Sequence, residues 1–271
     1  MNRAEIAGFS VLPGIIIGNI NITEESRNTI VSALTARYGL TNRLEMEVKV
    51  PHVWRDDTTT GRPLGGGGAD QDTTTSANGS DIGDVEFAAH YQINQGGGGT
   101  PYFVANLRGK SRTGQDPFEV RRDPTTNIET QLPTGTGFWA FEPSLTVIYP
   151  TDPAVLYANL NYLINYERNV SGFGKIDPGN AFGVNFGMGV ALNEKLSFSL
   201  GYDHKQVQKT RLNGLAGTSA RTLQVGRLLM GASFRPDGPV TVNVTLGVGV
   251  TEDSPDLDMV VRLPMAFDIF N

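Results

Sequence analysis

The chain of 271 residues contains no cysteine. Disulfides, thiolate nucleophiles and cysteine-ligated metals are therefore excluded. No apolar run approaches the ~18 residues that a membrane-spanning helix needs. The mean hydropathy is −0.21, which looks soluble but is blind to strands whose polar and apolar residues alternate. Positive charge is in deficit: the net charge of −6 argues against a nucleic-acid partner. The opening Met1-Asn-Arg-Ala-Glu-Ile shows no charged region followed by an apolar core, so an exported protein would be present here as a mature or shortened chain.

Motifs for catalysis and cofactors are also missing. The three histidines, His52, His90 and His204, stand in no HExxH, paired-histidine or calcium-loop spacing. No serine sits in a G-x-S-x-G context. Gly65–Gly68 and Gly96–Gly99 lack the Lys-Ser/Thr that would follow in a phosphate loop. The expectation is no metal, no cofactor and no catalytic residue.

What the chain has is alternation. Val240–Val250 reads V-T-V-N-V-T-L-G-V-G-V, with a branched aliphatic at every second position. A period of two puts these on one face of a strand and Thr, Asn and Gly on the other. The stretch matches the roughly 9–11 residues of a tilted transmembrane strand. Leu44, Met46, Val48 and Val50 oppose Arg43, Glu45, Glu47 and Lys49 in the same way. Four charges on one face cannot enter an apolar core without large desolvation costs, so that face meets water. Similar segments predict about twelve strands, near 15–22, 28–38, 43–54, 85–93, 102–110, 138–149, 155–166, 184–192, 196–202, 222–234, 240–250 and 257–263.

Short turns, such as Gly39–Asn42 and Asn193-Glu194, alternate with long connections at 55–82, 111–135, 168–178 and 210–220. Tyr38, Trp54, Tyr91, Tyr149, Tyr166, Tyr202, Phe234 and Phe267 fall near strand ends, where interfacial girdles lie. The predicted fold is all-β: a transmembrane, antiparallel, up-and-down β-barrel occupying residues 14–271. The alternative is a soluble sandwich or small barrel, in which the same valines would form the core. Outer-membrane enzymes also exist on barrels, and they make the competing functional class.

The expected polar, lumen-lining residues are Glu45, Glu47, Lys49, Glu86, His90, Arg108, Lys110, Glu142, Asp203, Lys205, Arg227, Asp258 and Arg262. Rings of such charges set ion preference in wide pores; the bland alternative is that they pair and keep the lumen wet. Residues 1–13 form a separate plug or tail segment. About two helical turns there would carry Ile6, Phe9, Val11 and Leu12 into the lumen, hinged at Pro13-Gly14. A disordered tail is the competing expectation.

Three further features carry a resemblance. The last strand ends in Arg262-Leu263-Pro264-x-x-Phe267. The segments Ala36-Arg37-Tyr38-Gly39-Leu40-Thr41-Asn42-Arg43-Leu44-Glu45 and Ile82-Gly83-Asp84-Val85 open strands, and the order of elements runs over about 14–267. Together they resemble the outer-membrane family named for the MetA pathway of phenol degradation. Within that group the chain looks most like the barrel domain of channels that secrete functional amyloid in Pseudomonas. The resemblance implies a trimeric, twelve-stranded barrel in a Gram-negative outer membrane, with outer-membrane lipid around it. It further implies an N-terminal helical plug, a periplasmic coiled coil that this chain lacks, and secreted amyloid subunits as cargo. The family's name implies an alternative, porin-like uptake of aromatic or other hydrophobic small molecules.

Overall fold

In the computed structural model the described residues are 20–63, 73–122, 130–217, 220–237 and 239–266. They form sixteen strands. In order these are β1 (Ile20–Gly39), β2 (Leu44–Pro63), β3 (Thr73–Ile82), β4 (Glu86–Gln92), β5 (Tyr102–Lys110), β6 (Ala140–Pro150), β7 (Ala154–Asn165) and β8 (Arg168–Val170). Then follow β9 (Gly174–Asp177), β10 (Ala181–Ala191), β11 (Leu196–Val207), β12 (Arg211–Leu212), β13 (Leu215–Ala216), β14 (Leu223–Phe234), β15 (Val242–Gly249) and β16 (Leu257–Arg262). Among the described residues there is no helix. The expected plug residues Ile6, Phe9, Val11, Leu12, Pro13 and Gly14 lie outside them, as does Phe267.

Twelve strands make one antiparallel sheet in the order β1-β2-β4-β5-β6-β7-β10-β11-β14-β15-β16, with β3 pairing β2 beyond β4. Neighbours in the wall are thus neighbours in the chain, the topology of an up-and-down barrel. The short turns use local devices. Thr41 Oγ1 accepts from the backbone N–H groups of Arg43 and Leu44, and Asn193 Oδ1 accepts from those of Lys195 and Leu196. Gly96, Gly97, Gly98 and Gly99 all hold positive φ, which only glycine adopts freely.

The faces settle which environment the wall meets. Leu156, Met188, Leu200, Met230, Leu246 and Met259 lie opposite one another in a single row from β7 to β16. All six are exposed, Leu200 by 59% and Met259 by 65%. Phe198 and Phe234 stand exposed on one side of the row and Phe186 on the other. Tyr38, Trp54, Tyr91, Tyr149 and Tyr166 are exposed as well, while Tyr202 is half-buried, its ring 5.8 Å from Phe186. A soluble barrel would bury these side chains. A bare apolar belt with aromatic flanks is a lipid-facing surface, so the soluble alternative fails.

Several connections differ from expectation. Separate strands near 15–22 and 28–38 are not seen in the described part: residues 20–39 form one strand, with a register shift between Ile22 and Glu24. Thr23-Glu24-Glu25-Ser26-Arg27 offers neither Gly nor Pro to turn the chain. The expected loop 55–82 is largely the far part of a β2–β3 hairpin, running through β-branched threonines. At 20 residues and about 3.3 Å per residue, β2 spans about 66 Å, well beyond the roughly 25 Å apolar band of a barrel. The expected loops 168–178 and 210–220 contain a second small sheet, β13-β12-β9-β8.

The buried core sits in these outer connections rather than in the wall. Phe138, Val170 and Ile176 cluster with Phe118 and Phe173. The Phe118 and Phe138 rings meet edge-on at 5.9 Å, and the Arg168 guanidinium lies 5.4 Å from each ring centroid. Arg168 is also ion-paired with Asp116.

Candidate functional site

The strand face opposite the apolar belt carries nearly all the wall's charge, and neighbouring strands match cation to anion. Arg37 of β1 lies 2.7 Å from Glu47 and 3.8 Å from Glu45 of β2. Lys49 of β2 lies 3.6 Å from Glu86 of β4. Arg108 of β5 bridges two strands, with Nη1 3.0 Å from Glu86 and Nη2 2.9 Å from Glu142 of β6. These pairs follow from register: Lys49 is opposite Glu86, and Arg108 is opposite Glu142. Farther round, Arg227 of β14 lies 2.6 Å from Asp203 of β11 and 3.3 Å from Asp258 of β16. Lys205 of β11 comes within 3.8 Å of Glu142.

A neutral ladder runs beside the charged one. His90 Nδ1 donates to Asn106 Oδ1 at 2.8 Å, and His90 Nε2 lies 3.6 Å from Glu47. The Asn106 amide donates onward to the Ser144 and Thr146 hydroxyls at 3.2 and 3.0 Å. Asn159 of β7 donates to Thr146 at 2.8 Å. Tyr157 instead lies flat along the wall. Its hydroxyl is 2.5 Å from where a Cβ would stand at Gly187 or Gly201, so both glycines are required for its pose.

Of the thirteen polar residues expected, all but Lys110 and Arg262 take part in these ladders; Arg262 is opposite Asn243. Lys110 joins a node at the rim. There the Asp84 carboxylate accepts from the Thr136 N–H at 2.8 Å, the Thr136 hydroxyl at 2.7 Å and the Gly114 N–H at 3.1 Å, with Lys110 Nζ at 3.4 Å. This node fastens the connection after β5 to the wall. The period of two puts Asn106, Asn159 and Tyr157 on the polar face, but the expected lumen-lining set left them out, together with Arg37 and Asp84. Arg37 keeps the period-two spacing of β1 and was legible. Asp84 sits in the break between β3 and β4, where no period applies. Among the described residues, no group of three or more His, Asp or Glu side chains is placed to hold a metal ion.

A bare apolar belt, a sheltered face of paired charges and antiparallel strands that pair in chain order define a transmembrane β-barrel of the kind that spans the outer membrane of a Gram-negative bacterium. The chain belongs to the family described as "Putative MetA-pathway of phenol degradation", whose model matches residues 7–255. Its fold is similar to the crystal structure of an outer membrane channel from Pseudomonas putida F1. That match has 16% identity and a TM-score of 0.61, and covers 88% of this chain and 82% of the other. The ferric yersiniabactin uptake receptor of Yersinia pestis is matched with 12% identity and a TM-score of 0.33, over 88% of this chain and 37% of the receptor.

Proposed function

We propose that the polar face lines a hydrated lumen and that the protein is a passive outer-membrane channel exporting an unfolded, amyloid-forming polypeptide. The observation that carries this reading is the make-up of the polar wall. Its charges are paired strand to strand, and amide and hydroxyl side chains run between them. Such a surface stays wet and offers hydrogen bonds to a passing backbone. In this reading residues 1–13 gate the lumen, the working unit is a homotrimer, and passage is by diffusion.

Deleting the gene in its host tests it. Export requires that surface amyloid disappears while the subunits stay in the cell; unchanged surface amyloid overturns it. The family's description favours a second reading, uptake of aromatic or other hydrophobic small molecules. That reading requires slower growth on such a solute, with surface amyloid unaffected.

A further inference from the structure

Besides the Arg37, Glu45 and Glu47 cluster of β1 and β2, the wall holds two charge groups that register alone leaves apart. The first, from Lys49 to Glu142 over β2, β4, β5 and β6, balances two cations against two anions. The second, Asp203, Arg227 and Asp258, has two anions and one cation. Lys205 supplies the missing cation. It reaches Glu142 of the first group and lies within electrostatic range of Asp203 in the second.

That reach is unusual, because β6 and β11 are separated by β7 and β10. Three strand spacings of about 4.8 Å make about 14 Å along the wall, so both side chains extend toward each other. Lys205 is opposite Gly183 of β10, which is opposite Asn161 of β7. The Asn161 amide lies over that glycine, in the space a Cβ would take, so no β10 side chain stands between the two charges. The second group uses the same device. Arg227 of β14 meets Asp258 of β16 across β15. The β15 residue opposite Asp258 is Gly247, where a Cβ would run into the Asp258 carboxylate. A glycine lies at each crossing, and at Gly247 it directly makes room for the Asp258 carboxylate.

We propose that Lys205 closes the two groups into one electrically balanced ring, and that this ring is the channel's selectivity element. Charges alternating at ion-pair distance cancel within a few ångströms of the wall, so neither small cations nor small anions are favoured. The ring suits uncharged or zwitterionic polar solutes and chain segments. The proposal rests on the channel reading above and adds the residue that sets its preference.

The test is the reversal potential of the intact protein in planar phospholipid bilayers under a KCl gradient. The unsubstituted channel gives a cation-to-anion permeability ratio near one. Lys205→Met raises the ratio up to about fourfold, because one unpaired negative charge about 10 Å away through water roughly doubles the local cation and halves the local anion concentration. Asp258→Asn lowers it by a similar factor, and Lys205→Met combined with Glu142→Gln returns it toward one. Lys205→Arg leaves it unchanged. A folded, conducting Lys205→Met channel with an unshifted potential overturns the ring. Should Lys205→Met fail to fold, an unshifted Asp258→Asn overturns it equally. If the unsubstituted protein folds into bilayers and passes no current, the channel reading falls and the ring falls with it.

Discussion

Leu246 and Thr245 are adjacent on β15 and point to opposite faces, so the same substitution at each tests which way the wall is turned. Leu246 belongs to the exposed row of aliphatic and methionine side chains running from β7 to β16. Aromatic residues flank that row on both sides, which places it near the middle of the apolar belt. An arginine there must sit in hydrocarbon, at a cost of about 2–4 kcal/mol at the bilayer midplane. That shifts the folding equilibrium by about 30- to 700-fold. Thr245 faces the polar side between Gly231 and Val260. An arginine at that position extends into water and costs less than about 1 kcal/mol. Refolding into phospholipid vesicles under a denaturant titration measures both. Trp54 and Trp139, exposed on the described surface, report the transition by fluorescence. A harmless Leu246→Arg beside a damaging Thr245→Arg would mean that the aliphatic face is the interior, and the membrane orientation would be wrong.

Three other outcomes follow from the same geometry. Asp84→Ala strands the Thr136 and Gly114 N–H groups and Lys110, at about 1–3 kcal/mol for each unmet group. Trypsin should then cut the connection after β5, at Arg112 or Arg121, on the order of tenfold faster or more in the folded barrel; an unchanged rate would remove Asp84 as the anchor. Gly201→Val drives a side chain into the Tyr157 hydroxyl and should cost about 1–3 kcal/mol by overpacking. Tyr157→Ala in the same chain should recover part of that loss in a double-mutant cycle, and strict additivity would refute the contact. Deleting residues 1–13 should raise single-channel conductance or open probability, and unchanged currents would sink the plug.

The wall was legible because each strand residue there has one of two environments, lipid or water, and a period of two records the choice directly. Leu44, Met46, Val48 and Val50 against Glu45, Glu47 and Lys49 needed no partner strand to be read. The outer connections have no such record. Phe118, Phe138, Val170 and Ile176 come from two separate connections with no common spacing, so their core is visible only once the chain has folded back over itself. The same limit explains the ladders. Lys49 with Glu86 and Arg108 with Glu142 join adjacent strands, so a correct register would have predicted them. Lys205 with Glu142 and Arg227 with Asp258 skip strands. They depend on what the intervening strands carry: Gly247 leaves room for Asp258 and Gly183 for the Asn161 amide, and a glycine in a sequence does not say which neighbour it makes room for.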